Sequence, residues 1–363
     1  MADGNCSRPM TSRRKLITTS LGSGILGIGF TSLISRANRG ENWPVAVRRG
    51  SYTSPISMQE IQEANTQSRD GVDQRISNDV NSPTSRIESS QSNIVGYAVT
   101  HREDGSKQHY TVTAQDENSV RIAHERLAAT VNKYQKKNFS SNIHSEYRDS
   151  ENNVRETTDI PNQISDEWDF YDHGQWDEVG SLGVLTSNYD IGRVSSSGDD
   201  AYTLTHVYGA EPLDDNIVGD GNITHDWSVA EAPDAELHNY GPGSFGQNNT
   251  ITVSAGVSSA ERDISAGVSW SYQPGLTGWD NSSYASNIAE WPVDYQEDLP
   301  SCGHHGTVSA EFASSTVMTQ PVAGSGIQDL VNLEASHSFP QTACNVGAIE
   351  DLNWTWYLST VDY

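Results

Sequence analysis

The sequence predicts a mainly β protein, with an antiparallel β-sandwich or irregular barrel domain preceded by a small α+β (ββα) module. Two observations carry this prediction. In two neighbouring runs, 250–258 and 263–272, apolar residues alternate with small or polar ones, which is the period of a β-strand. Further short strand-like runs, punctuated by Gly, Asp, Asn and Pro, follow one another from residue 182 onward, as in sandwiches and barrels.

The two alternating runs predict one β-hairpin, which we place at the centre of the β domain. The pentapeptide Ser-Ala-Gly-Val-Ser occurs in both arms, starting at Ser254 and at Ser265. One face of the hairpin is apolar and the other is Ser- and Gly-rich. A solvent-facing Ser/Gly surface is unusual on an acidic protein, so we expect this second face to be covered as well. Further strands are expected at 184–194, 202–208, 223–229, 291–295, 307–312 and 354–361.

The ββα module is expected at residues 93–137. A turn at Asp104 and Gly105 would set Val99 opposite Tyr110 and give the pair of strands one apolar face. In this register His101 faces Gln108 and His109 faces Thr100. The two histidines would then lie on opposite faces, so we expect no metal shared between them.

Two helices are predicted. Ser57 and Glu60 form a capping box that begins a short helix with Ile61 and Ala64 on its inner side. A second helix begins at Ser119 as the N-cap and ends at two lysines, which suit the helix dipole. Its apolar residues recur at helical spacing: Val120, Ala123, Leu127, Val131 and Tyr134.

Composition divides the chain into five segments. We expect a twin-arginine signal at 1–37, a polar tether at 38–92, the ββα module at 93–137, an acidic linker at 138–180 and the antiparallel β domain at 181–363. The boundary near residue 138 rests on charge. Residues 38–137 hold 13 basic and 12 acidic side chains, whereas residues 138–363 hold four arginines, no lysine and 35 carboxylates.

The N-terminus predicts export. Arg13 and Arg14 precede a weakly apolar Gly- and Ser-rich run at 17–34, which resembles twin-arginine secretory signals. An uncleaved membrane anchor is the alternative. In an exported chain, Cys302 and Cys344 are expected to form a disulfide, the alternative being two buried thiols. We therefore predict an extracellular or cell-surface location.

The charge indicates adaptation to salt. The chain carries a formal net charge of −26, and its acidic, lysine-poor character resembles that of proteins from extreme halophiles, the haloarchaea above all. Molar salt shortens the Debye length to about 3 Å and screens carboxylate repulsion. A nucleic-acid partner is disfavoured because the main domain has no basic surface.

An aromatic cluster is the first candidate site. Trp168, Phe170, Tyr171 and Trp176 lie among carboxylates, and aromatic rings beside acids suit a sugar or another ligand. The alternative, which we favour, is that these rings plug the end of the sheet that follows.

Motifs for catalysis or cofactor binding were sought and not found. Cys302-Gly-His304-His305 with Cys344 is a weak metal candidate, because adjacent histidines on a strand point opposite ways. A calcium loop has the wrong spacing, and a solvated loop is the better interpretation of its four residues, Asp214, Asp215, Asp220 and Asn222. His206, His225 and His238 share the strand region with Asp226 and several serines, which is too loose a set to define a catalytic site. We predict no cofactor and, on balance, no enzymatic activity.

One resemblance concerns the hairpin. The run Ser265-Ala-Gly-Val-Ser-Trp-Ser-Tyr-Gln-Pro274, followed by Trp291-Pro-Val-Asp-Tyr295, resembles the core strands of leukocidin-type β-pore toxins. This resemblance implies a pore-forming or antagonistic protein that contacts membranes, with residues 38–137 masking the acidic domain until they are removed. Composition alone favours a non-enzymatic binding or structural role with an unknown extracellular ligand. A secreted hydrolase with an unrecognised site is a third alternative.

Overall fold

The structure of the protein is a computed structural model. It describes residues 45–70, 84–88, 93–101, 107–135, 169–195, 199–214, 216–230, 235–243, 250–258, 263–271, 276–278, 280–295, 310–321, 326–341 and 349–362.

A large sheet of eight strands forms one layer. Its order is β1-β3-β4-β5-β6-β7-β14-β9. In that order the strands are Ala46–Arg49, Asn93–His101, Lys107–Ala114, Asp169–Val179, Gly183–Ser195, Asp199–Pro212, Ala310–Pro321 and Glu236–Gly241.

A second sheet of six strands has the order β12-β13-β8-β15-β16-β2. Its strands are, in that order, Leu276–Gly278, Ile288–Tyr295, Gly221–Asp226, Gly326–Pro340, Ile349–Asp362 and Thr84–Glu88. The remaining two strands, β10 (Thr250–Ser258) and β11 (Asp263–Ser271), pair only with each other within the described chain. The described strands thus form two large sheets, as in a β-sandwich, and one separate two-stranded hairpin.

Indole rings fill the space between the two sheets. The ring of Trp176 on the large sheet stacks on that of Trp354 on the small sheet, with centroids 5.9 Å apart. The Trp356 ring meets the edge of Tyr189 at 4.6 Å. Such rings bury large apolar areas and prefer these offset and edge contacts. The sandwich therefore has one continuous aromatic core.

Two helices pack against strands of the large sheet. Helix α1 (Met58–Asp70) begins at the predicted capping box, in which the Ser57 amide donates to Glu60 Oε2 at 2.8 Å. Ile61 and Ala64 are buried, as predicted. Helix α2 (Ser119–Tyr134) buries the predicted apolar positions, with Val131 partly buried. Ser119 is not its N-cap, however, because its amide and hydroxyl both donate to Asp116.

The register predicted for β3 and β4 is wrong by one residue. Val99 pairs with His109, and His101 pairs with Lys107. His101 and His109 therefore lie on one face rather than on opposite faces. Both faces of this strand pair are buried, one against the sandwich core and the other against α2. Apolar alternation does not fix a register when both faces are covered.

The sequence predicts a tether at 38–92 and a linker at 138–180, but the structure has strands in both segments. β1 and β2 lie within 38–92, and β5 lies within 138–180. β5 pairs in parallel with β4, so the large sheet is not wholly antiparallel. The strands of the ββα module thus share their sheet with the acidic half, and all described residues belong to one compact unit. Removal of residues 38–137 as a mask stays a prediction.

Candidate functional site

The structure contains the β10–β11 hairpin that the sequence predicts. Apolar residues face apolar residues across the two arms: Ile251 pairs with Trp270, Val253 with Val268, and Val257 with Ile264. The alternate positions pair small neutral residues, such as Ser254 with Gly267. Because successive residues of a strand point to opposite faces, the hairpin carries one apolar row and one row of small neutral residues, which ends at Asp263 beside the turn.

The hairpin lies across the outer face of the large sheet, which we define as the face turned away from the small sheet. Its Cα atoms approach those of β9, β14 and β7 within 8 Å, and these are three neighbouring strands. The inner face of the same strands is occupied, since Ser314 and Thr316 of β14 hydrogen-bond to His225 of the small sheet. The hairpin is therefore a third layer over part of the sandwich.

The face beneath the hairpin is made of small side chains. These outer-face residues of β7 and β14 are all buried: Thr203, Thr205, Val207, Ala313, Ser315 and Val317. Three of the six carry a hydroxyl group, and none has a large apolar side chain. Since hydrophobic stabilisation scales with the apolar area removed from water, this surface holds its cover weakly.

Some polar groups on this face are buried without hydrogen bonds. Thr205 pairs with Ser315 across β7 and β14. Neither Thr205 Oγ1 nor Ser315 Oγ has a hydrogen-bond partner within the described residues. A buried polar group left unpaired typically costs about 1–3 kcal/mol. Access to water would remove that cost, so the burial of these two hydroxyl groups destabilises the covered state.

The inner face of the sandwich carries a second set of polar side chains. Asp172 Oδ2 lies 3.6 Å from Lys107 Nζ and 3.2 Å from His109 Nε2, and it accepts a hydrogen bond from the Tyr189 hydroxyl at 3.1 Å. Burial lowers the pKa of His109 and outweighs the opposite effect of Asp172. This buried set holds three strands, β4 to β6, in register.

Two of the three histidines that the sequence grouped in the strand region come together in the core. His206 Nε2 lies 2.8 Å from Ser187 Oγ, and the His206 and His225 rings are 5.7 Å apart. Asp226, which the sequence grouped with them, alternates to the other face of its strand. His238 is exposed and contacts Thr319. The signal available in the sequence was only alternation along β7 and β8, which places His206 and His225 at core positions.

The aromatic cluster does not form a surface platform at the residue that the structure describes. Trp176 is fully buried in the core between the two sheets, and a ligand platform or a plug formed by the whole cluster stays a prediction. Trp168 and the side chains of Phe170 and Tyr171 lie outside the described residues, as do Arg13, Arg14, Cys302 and Cys344. The signal and the disulfide stay predictions.

Within the described ranges, no cluster of three or more His, Cys, Asp or Glu side chains suits a metal ion. Asp214 and Asp220 are exposed, and Asp215 is outside the described residues. Neither of the described helices has the length and apolar character that crossing a membrane requires.

No protein-family profile and no curated protein matches the sequence. Among solved structures, one described as a "pore forming protein" is 11% identical with a TM-score of 0.26, covering 47% of this chain and 91% of its own. Clostridium perfringens delta-toxin is 9% identical with a TM-score of 0.29, covering 50% and 88%. The Clostridium perfringens NetB toxin in its membrane-inserted form is 8% identical with a TM-score of 0.26, covering 47% and 89%. At these scores the likeness is weak and indicates neither a shared family nor a shared function.

Proposed function

We propose that this chain is a pore-forming protein in which the β10–β11 hairpin leaves the sandwich and crosses a lipid bilayer. One observation supports the proposal most directly. Within the described residues no strand ladder joins the hairpin to either of the larger sheets, and it lies on a face of small, partly unsatisfied side chains.

Detachment of the hairpin would break little. No strand ladder joins it to the described strands of either sheet, so the hydrogen bonds within the hairpin survive its release. Among the described residues of β7 and β14, the apolar side chains left behind on this face are those of Val207, Ala313 and Val317. The hydroxyls of Thr205 and Ser315 would gain water. The cost of exposing the apolar side chains is therefore partly offset by the hydration of the two hydroxyl groups. A hairpin without ladder hydrogen bonds to the sheet separates more readily than a strand inside the sheet.

The hairpin has the dimensions and pattern of a membrane strand pair. Its arms are nine residues each, which is about 30 Å of extended chain at roughly 3.3 Å per residue. A tilted membrane strand needs about 9–11 residues. The apolar row would face lipid and the Ser/Gly row would face the channel. Because two strands leave open edges in lipid, several copies must join to close a barrel.

Export and salt adaptation complete the proposal. We propose that the chain acts outside the cell after twin-arginine export, since Arg13 and Arg14 precede an apolar run. The formal net charge of −26 opposes the close approach of several copies, and molar salt would screen this repulsion. The binding or structural role favoured by composition, and the hydrolase alternative, stay predictions.

Dye release from vesicles tests the proposal. The protein in molar salt is expected to empty vesicles of haloarchaeal polar lipid or of phosphatidylcholine. Val253→Arg places a charge on the lipid-facing row, at a cost of about 2–4 kcal/mol per copy near the bilayer centre, and should abolish release. Ser254→Arg, one residue along on the neutral row, is the matched control and should retain release. No release by the unaltered protein, or equal effects of both substitutions, would contradict the proposal.

A further inference from the structure

His225 joins the two sheets directly behind the strands that support the hairpin. Its ring is fully buried on β8. The Nε2 atom lies 3.0 Å from Ser314 Oγ, and the Nδ1 atom lies 3.0 Å from Thr316 Oγ1, both on β14 of the opposite sheet. The Trp227 indole also donates to Thr316 Oγ1 at 3.0 Å.

Among the described residues, the groups packed against His225 include no carboxylate that would compensate a positive charge on its ring. From β7 it faces the His206 ring, from β14 only hydroxyl groups, and from β13 the edge-on ring of Trp291. β15 contributes Leu333 at the paired position. The nearest carboxylates of the small sheet alternate to its other face, as the strand register shows: Asp226, Glu290 and Glu334. Protonation would therefore bury an unpaired charge beside a second imidazole, which is strongly unfavourable.

The partners of His225 alternate with the residues beneath the hairpin. Ser314 and Thr316 flank Ser315, and His206 follows Thr205. Ser315 and Thr205 belong to the outer face that the hairpin covers. A displacement of β7 or β14 on the inner face is transmitted to the outer face, because the same backbone carries both sets of side chains. The contact between His225 and β14 on the inner face is thus physically coupled to the packing of the hairpin on the outer face.

We propose that His225 is an acid-sensitive latch: protonation of its ring drives β8 away from β7 and β14 and releases the β10–β11 hairpin. This inference rests on the proposed function, since it supplies the trigger for the same hairpin. The ligand that triggers release is the hydronium ion, and release is expected in an environment below about pH 6.

The direction of the pH dependence follows from linkage. Burial lowers the pKa of His225 well below its ordinary value, and the neighbouring His206 lowers it further. The released state, with the ordinary pKa of about 6.5, binds the proton first. The latch is therefore closed above about pH 6.5 and loses stability as the pH falls. The equilibrium constant for release rises about tenfold for each pH unit contributed by one such group.

Deuterium exchange of the full chain tests this inference. Peptides covering 250–271 should lose protection between pH 7 and pH 4.5, after correction for the intrinsic exchange rate. His225→Gln keeps a polar side chain that does not titrate. In this variant the loss of protection of the hairpin peptides should be about tenfold smaller for each unit by which the pH falls. His238→Gln, at an exposed histidine, is the control and should behave as the unaltered protein. An unchanged dependence in His225→Gln overturns the latch.

The unaltered protein provides a second test if His225→Gln does not fold. The hairpin peptides should lose protection at a higher pH than peptides of α2 (Ser119–Tyr134). Simultaneous loss would indicate global acid unfolding and overturn a local latch. Vesicle dye release separates the two proposals. Acid-induced exchange without dye release supports the latch and contradicts the pore, whereas dye release at every pH with unchanged exchange supports the pore and overturns the latch.

Discussion

The buried carboxylate of Asp172 provides the sharpest stability prediction. It lies within 3.6 Å of the Lys107 ammonium and accepts hydrogen bonds in the core. Burial raises the pKa of Asp172, but Lys107 and His109 lower it more, so that it falls to about 2. Because this pKa is depressed, the carboxylate stabilises the fold above the unfolded pKa near 4, and this contribution is lost as the pH falls through about 2. At neutral pH the shift corresponds to about 2–3 kcal/mol.

Asp172→Asn removes the charge and keeps the shape. We expect it to cost about 3–5 kcal/mol, because it leaves the buried Lys107 ammonium without this carboxylate. Lys107→Met should cost a similar amount for the converse reason. The double variant should lose at least about 2 kcal/mol less than the sum of the two, since residues in direct contact are coupled. Urea unfolding in molar salt at pH 7.5, followed by far-UV circular dichroism, measures all three free energies.

The double-mutant cycle has a clear contradicting result. If the two losses add to within about 0.5 kcal/mol, the pair does not interact in the folded protein. A loss below about 1 kcal/mol for Asp172→Asn alone would show that the carboxylate is not buried as the structure describes. Asp351→Asn, at an exposed carboxylate of β16, is the control and should change stability little.

Two further substitutions test the packing around β5 and β6. Gly174→Ala places a methyl group in the Tyr189 ring, so we expect a loss of about 1–3 kcal/mol and a lower Tm, whereas an unchanged Tm would contradict this packing. Glu350→Ala removes the acceptor for the Ser181 amide at 2.8 Å and the Leu182 amide at 2.5 Å, which tie β16 to the β5–β6 turn. The free energy of unfolding measured with urea should fall by about 1–3 kcal/mol. A decrease no larger than that of Asp351→Ala would show that these hydrogen bonds do not stabilise the contact between β16 and the turn.

Local patterns predicted the elements whose chemistry is contained within a few residues. The hairpin follows from the alternation of apolar residues along its two arms, and the capping box follows from the spacing of Ser57 and Glu60. The strand β15 was missed because a register shift between Asp329 and Val331 breaks the alternation. A buried core position of β15 is also occupied by His337. Polar side chains at core positions hide a strand from pattern reading.

Long-range partners account for the rest. β5 has charged residues at buried positions, including Asp172 and Asp177. Asp177 is held by Arg126 of α2 and by the Tyr110 hydroxyl, which donates at 2.8 Å. These contacts join residues more than 50 positions apart, so composition alone suggested an acidic linker here. The supporting face at Thr205 and Ser315 was beyond prediction for the same reason, because β7 and β14 lie more than 100 residues apart.

The central claim is that the β10–β11 hairpin crosses the bilayer with its two rows facing lipid and water. The most direct measurement attaches a polarity-sensitive fluorophore to a single cysteine at each position from 252 to 257, in a background lacking the native cysteines. In vesicles, emission should alternate with a period of two residues, with positions 253, 255 and 257 in lipid and 252, 254 and 256 in water. Uniform emission along the arm, or emission unchanged from that of the protein without vesicles, would contradict the account.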